Sequence, residues 1–192
     1  MISQQKQILR RQMRARLREI DEAQREKFSS MLSSRLAIWL ADRQVAAAPA
    51  LAFAPMASEP NWWSAPEIDP VRFAYPSVRD GGVNFFRISC REDLTPGEFG
   101  IMEPLADDSR RVLVESAITV LVPGLAFDKY GNRMGRGRGI YDGILARTSP
   151  ACFRLGVAFD CQVVESVPIE PHDQRVDGLI TPSGFIACAR PR

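Results

Sequence analysis

The sequence is poor in the side chains that build thiolate or imidazole metal sites. Among 192 residues there is one histidine, His172, and the four cysteines Cys90, Cys152, Cys161 and Cys188 stand far apart with no C-x-x-C pair. A zinc site cannot be assembled from sequence neighbours, and the cysteines read as reduced, mostly structural thiols. A single imidazole allows one triad at most, so the chemistry is expected to fall on Asp, Glu, Lys, Arg and backbone amides. No run approaches the ~18 uninterrupted apolar residues of a membrane span, and no apolar N-terminal stretch leads to a small-residue cleavage site. A soluble, cytoplasmic protein with no membrane partner is expected. Net charge is scarce too: 25 Lys and Arg against 23 Asp and Glu leave +2. That is too little to steer the whole molecule onto nucleic acid.

What is present is ordinary globular composition, with 45% apolar and 25% charged residues. The length points to one domain over residues 1–192 with a sizeable core. Charge is unevenly spread. Residues 1–18 carry Lys6, Arg10, Arg11, Arg14, Arg16 and Arg18 without an acid, and residues 129–138 add Lys129, Arg133, Arg136 and Arg138, again without one. Two acid-free basic clusters in a nearly neutral chain suggest local anion sites.

From Ser3 to Glu19 strong helix formers without Gly or Pro predict a helix, with Ile2, Leu9, Met13 and Leu17 on one stripe. Asp21 is a candidate N-cap for a second helix to about Leu40, which would bury Phe28, Met31, Leu32, Leu36 and Trp39 before an Ala/Pro stretch ends it. Short apolar runs follow at 50–54, 71–75, 83–88, 118–122, 154–159 and 176–180, several separated by segments that could form helices. The expectation is an α/β three-layer sandwich, Rossmann-like, with a mostly parallel central sheet preceded by two N-terminal helices. Residues 118–122 (ITVLV) suit a central strand covered on both faces, and Pro123-Gly124 would end it at a switch-point crevice.

Residues 123–142 read PGLAFDKYGNRMGRGRGIYD, and six of the 13 glycines fall at 124, 131, 135, 137, 139 and 143. Such a stretch reads as a loop and not as a core element. Glycines let successive N–H groups converge on a phosphate, and Arg133, Arg136 and Arg138 would add charge-assisted hydrogen bonds. A helix beginning near Ile140 would aim its N-terminal dipole at the same place. Neither a Walker A loop nor G-x-G-x-x-G spacing is present, so a nucleotide site and a basic Arg-Gly surface loop both stay open on these grounds.

The same string resembles the signature of the 5-formyltetrahydrofolate cyclo-ligase family, approximately PGxAFDxxGxRLGRGKGYYD. Lys6-Gln-Ile-Leu-Arg10 resembles that family's K-x-x-L-R, Met56-Ala-Ser-Glu59 its M-x-x-E, and Phe99 to Pro104 its FGIxEP. Leu155 to Phe159, Gln162 and Pro168 to Asp173 resemble its LGxAFxxQ and P-x-x-x-H-D segments, so family-like blocks run from residue 6 to about 182. By this resemblance the length is expected to be that of a complete member of the family, without room for an extra domain.

The resemblance implies ATP- and Mg²⁺-dependent closure of 5-formyltetrahydrofolate to 5,10-methenyltetrahydrofolate, with release of ADP and phosphate. A formamide oxygen leaves poorly, so phosphorylation of the formyl oxygen would precede attack by N10. That chemistry asks for positioning and charge neutralisation. It further implies that Lys6, Arg10 and the stretch Arg133, Met134, Gly135, Arg136, Gly137, Arg138, Gly139, Ile140 and Tyr141 bind ATP. Arg136 and Arg138 would be catalytic. Arg10, Ala54, Met56, Glu59 and Ile140 would bind the folate, and Asp142 and Asp173 would hold Mg²⁺. Phe99 and Glu103-Pro104 would close the folate side, and a monomer is expected. Taken alone, Lys6 and Arg10 read as a solvated helix face, Asp142 as a capping residue, Asp173 as a turn residue and Met56 as core packing. His172 reads as structural, and Trp62 and Trp63 as buried packing. Two positions depart from the pattern: Arg138 stands for a lysine, changing a point charge into a planar fork, and Ile140 stands for the first tyrosine. A non-catalytic nucleotide or RNA binder of the same fold, and a related enzyme acting on another formamide, are the alternatives.

Overall fold

The structure, a computed structural model, describes residues 2–43, 49–79, 82–97 and 100–189. Helix α1 runs over Ile2–Arg18 and α2 over Glu22–Asp42. Between them Asp21 forms a capping box: its Oδ1 accepts from the Gln24 N–H at 2.7 Å, and the Gln24 Oε1 accepts from the Asp21 N–H at 3.3 Å. Such a cap is worth about 1 kcal/mol and sets the break between the helices. On α2 the buried face is Ser29, Leu32, Ser33, Leu36 and Trp39; Met31, one step around from Leu32, is turned outward and 40% exposed. On α1 the stripe meets the core only from Lys6 onward, and Ile2 is 42% exposed.

Strands β1 (Ala50–Leu51), β2 (Phe73–Arg79) and β3 (Gly82–Arg87) are followed by β4 (Leu94–Pro96), β5 (Met102–Pro104), β6 (Arg111–Val112) and β7 (Thr119–Val122). After β8 (Ala126–Asp128) and β9 (Arg133–Met134) comes helix α3 (Ile140–Arg147), then β10 (Phe153–Val157), β11 (Val163–Val164), β12 (Gly178–Thr181) and β13 (Gly184–Ala187). The main sheet has the order β13-β12-β10-β7-β1-β2-β3-β6. Its five central strands, β12 to β2, are parallel, and β13, β3 and β6 pair antiparallel at the edges. The expected α/β sandwich with a mostly parallel centre is what the chain forms. Of the segments between strands that could form helices, only α3 is α-helical among the described residues; several other connections carry a single 3-10 turn. The 44–48 part of the Ala/Pro stretch lies outside the described residues.

The period-2 alternation of the strands divides the core. Leu121, Leu155, Val157 and Ile180 face α2 through Leu32, Leu36 and Trp39, while Leu51, Val120, Val122 and Leu179 face α3 through Ile144 and Leu145. Helix α1 packs elsewhere. Its Met13 and Leu17 join Leu125, Ala126, Met134 and Phe159 over the small sheet β11-β8-β9. The 123–142 segment is therefore not loop throughout. Its inner half is paired as β8 and β9, and Ala126, Phe127, Asp128, Asn132, Arg133 and Met134 are all buried. The turn between them depends on Gly131, at φ +79°, where a Cβ would collide with the Val176 carbonyl oxygen.

Candidate active site

The chain runs from β1 toward β2 and β3 on one side, then crosses back to β7 on the other. The sheet's switch point therefore lies between β1 and β7. Ligands of open α/β sheets bind outside the carboxyl ends of strands at such a point. Here a cavity of about 510 Å³ opens, lined by Phe53 and Ala54 after β1, Pro76 and Val78 of β2, and Pro123-Gly124 after β7. Helix α1 contributes Lys6, Arg10 and Arg14 to the wall, and the segment from Arg133 to Asp142 covers another side. The ATP, metal and principal folate residues named from sequence line this one cavity: Lys6, Arg10, Ala54, Met56, Glu59, Arg133 through Tyr141, Asp142 and Asp173. Trp62 is fully buried, its Nε1–H donating to the Phe53 carbonyl, and Trp63 packs beside it. Glu103 is buried, accepting from the Ser77 hydroxyl and the Val78 N–H. It is not among the lining residues, and Phe99 lies outside the described residues.

The inner wall is held by two ion-paired cations. Lys6 stands on the buried stripe of α1, where its Nζ donates to Asp173 Oδ2 at 2.6 Å and Glu170 Oε2 at 2.8 Å. Burial opposes its charge, but the two carboxylates outweigh it and raise the Lys6 pKa. For Asp173, burial works upward, and Lys6 with the Glu170 N–H brings the net value down; Glu170 is lowered first by its hydrogen bond to Lys6. The other cation is Arg133, whose Nη2 donates to Asp142 Oδ1 at 2.9 Å; that oxygen also accepts from the Gln174 N–H at 3.2 Å. Arg133 is thus committed to tying β9 to the first turn of α3.

The rim differs. Arg136, Gly137, Arg138 and Gly139 are exposed, and Gly139 enters α3 at φ +70° with open space where a Cβ would stand. Arg10 Nε donates to the Gly135 carbonyl at 3.1 Å, which holds α1 against this loop. Arg136 Nη2 reaches across the cavity to the Ser58 hydroxyl at 2.7 Å and Glu59 Oε1 at 3.3 Å, while Glu59 Oε2 accepts from the Met56 N–H. Burial nevertheless raises the Glu59 pKa above the usual carboxylate value. The Tyr141 hydroxyl is buried without a hydrogen-bond partner among the described residues, and burial pushes its pKa far up. A buried donor left open in a cavity wall fits a polar ligand atom.

Magnesium is commonly held by one or two carboxylates plus substrate phosphates, with water completing the shell. The carboxylates of Asp142 and Asp173 on the cavity wall supply oxygens of that kind, so the donor set fits the ion. His172 is not a packing residue: its ring is 71% exposed at the cavity rim, within 3.9 Å of Glu170 and 3.8 Å of Asp173. Sequence reasoning missed Glu170, which carries no local signal, and Asp128, which had one. Asp128 precedes Gly131 by three residues, the spacing of a tight turn, and its carboxylate is fully buried. It accepts from the N–H groups of Tyr130, Asn132 and Val167 and from the Asn132 amide.

The model of the 5-formyltetrahydrofolate cyclo-ligase family matches residues 2–182. The 5-formyltetrahydrofolate cyclo-ligase of Mycolicibacterium smegmatis is 28% identical over 183 residues, covering 90% of this chain and 91% of that protein. The mitochondrial 5-formyltetrahydrofolate cyclo-ligase of Arabidopsis thaliana is 33% identical over 130 residues, and there the match spans only 47% of the relative. The NMR structure of Aquifex aeolicus 5,10-methenyltetrahydrofolate synthetase superposes with a TM-score of 0.73 at 28% identity, covering 97% of this chain and 94% of that one. The motif-bearing walls of one switch-point cavity and a family match along nearly the whole chain agree: the chain belongs to the 5-formyltetrahydrofolate cyclo-ligase family.

Proposed function

We propose that the protein closes 5-formyltetrahydrofolate to 5,10-methenyltetrahydrofolate, consuming Mg·ATP and releasing ADP and phosphate. The observation that carries this reading is the meeting of three separated stretches, Lys6–Arg10, Met56–Glu59 and Arg133–Asp142, around one cavity. When bound, Mg·ATP supplies the phosphoryl group that turns the formyl oxygen into a leaving group. Lys6, Arg10, Arg136 and Arg138 neutralise phosphate charge from two sides, and the backbone of Gly135, Gly137 and Gly139 allows close approach. Met134 backs the loop from the core, and Arg133 fixes the orientation of Asp142. Asp142 and Asp173 hold the metal.

Ala54, Met56 and Ile140 give the folate an apolar bed, and the Glu59 carboxyl faces its N–H groups. Arg136 spans both halves, touching Glu59 while standing in the phosphate loop. It is therefore placed to stabilise charge moving from formyl oxygen to phosphate. Residues 1–192 are read as one catalytic unit, working as a cytoplasmic monomer.

Mixing protein, Mg·ATP and 5-formyltetrahydrofolate should raise the near-ultraviolet absorbance of the methenyl product together with ADP. Folded protein giving neither would overturn the reading. The exposed arginines Arg11, Arg14 and Arg18, beside Gln7 and Arg10 in a shallow hollow on α1, favour a second reading as a nucleic-acid binder. Salt-sensitive RNA binding without folate turnover would support that reading.

A further inference from the structure

Lys6 lies on the buried stripe of a helix that is otherwise basic only on exposed or half-buried positions. Its ammonium sits between oxygens of Asp173 and Glu170, at 2.6 and 2.8 Å, and Asp173 Oδ2 also accepts the Glu170 N–H at 2.7 Å. One ligand atom each from Glu170, His172 and Asp173 lies within 4.8 Å of the others, a spacing that a single cation could bridge. The ammonium already bridges the two carboxylates. A divalent cation brought to those oxygens would meet a positive charge and lose the ligand positions it needs. Yet Lys6 also lines the cavity that carries Arg10, Arg136 and Arg138, so phosphate oxygens entering there would offer it new partners.

We propose that Lys6 is a resident counter-ion that keeps Glu170 and Asp173 closed to divalent cations until nucleotide phosphates draw it away. This rests on the reading of the cavity as a Mg·ATP site. Two consequences follow. Metal and nucleotide load together, because each makes room for the other, and their affinities are coupled reciprocally. Glu170, which belongs to no recognised motif residue, becomes a positioning residue: it holds Lys6 in the unliganded state and shares the cation site afterwards.

The test is Mn²⁺ binding to the full-length protein without nucleotide, by electron paramagnetic resonance of the free ion. Mn²⁺ takes carboxylate ligands, as Mg²⁺ does, and so reports on the Glu170 and Asp173 oxygens. Lys6→Met, which suits an apolar stripe, should tighten Mn²⁺ by about tenfold or more through loss of the competing charge. Lys6→Arg, which keeps a cation, should stay within about twofold of the parent. Adding Glu170→Gln to Lys6→Met should abolish the gain. Unchanged Mn²⁺ affinity in Lys6→Met, or a gain that survives Glu170→Gln or appears equally in Lys6→Arg, overturns the proposal. Methenyl formation by the parent protein is measured separately. Product without the Mn²⁺ gain removes the counter-ion role and leaves the catalytic reading intact; the gain without product does the reverse.

Discussion

Arg133 and Arg136 stand three residues apart in one glycine-rich segment, yet the first side chain is 4% exposed and the second 39%. The inner half of that segment, from Ala126 to Met134, is strand, turn and strand, with the Asp128 carboxylate and the Arg133 Nη2 donor taken up by protein partners. The outer half, from Gly135 to Gly139, is exposed loop whose arginine reaches across the cavity. Similar residues serve as scaffold in one half and as ligand surface in the other. What separates them is burial: the Arg133–Asp142 pair is closed off inside the wall, whereas Arg136 meets Ser58 and Glu59 at the open rim.

The sharpest way to break this contrast is Asp128→Ala, which strands three buried donors and a fourth, part-buried one at once. A loss of about 3–5 kcal/mol in denaturant unfolding is expected, with activity lost through unfolding. Gly131→Ala comes next, costing roughly 1–3 kcal/mol because the residue must hold positive φ beside the Val176 carbonyl. In the outer half the signs invert. Arg136→Ala should leave stability within ~0.5 kcal/mol, yet lower turnover by roughly 100-fold. Equal stability losses in the two halves would erase the distinction.

The smallest effect is a pH slope. Burial lets folded Glu59 keep its proton to higher pH than the unfolded chain does, so the stability linked to it is present at low pH and lost as pH rises through its folded value. Asp173 and Glu170, with lowered values, act oppositely: their contribution is present above the ordinary carboxylate range and lost on acidification. Urea unfolding between about pH 4 and 8 should therefore show Glu59→Gln gaining relative stability toward the alkaline end. A gain confined to the acid end would contradict the burial of Glu59.

Local patterns carried much of the fold. The Asp21 cap, the α2 face apart from Met31, and the β-rich 118–122 run each reported their structure through near neighbours. The site residues were legible mainly because the family string is long; glycine and arginine content alone left two readings open. What stayed hidden were features whose partners are remote. Lys6 meets Glu170 and Asp173 across 164 and 167 residues, and no periodicity encodes such a pairing. A cue did exist in the placing of Lys6 on the same stripe as Met13 and Leu17, a polar residue where the core pattern demands an apolar one. Residues 126–134 were read as loop because two short strands around a glycine turn look like loop chemistry until a third strand, β11, pairs with them.

The same pairing sets an order of assembly. During synthesis α1 emerges first, with Lys6 and Arg10 on its surface and no acidic residue of its own. Its carboxylate partners arrive only after some 160 further residues have been added. Until the 168–173 stretch is made, the first helix lacks the anions that hold its inner face, and the cavity wall has one side missing. Nascent chains ending before Pro168 should therefore carry most of the sheet and no finished site, so that binding competence comes late as this fold assembles.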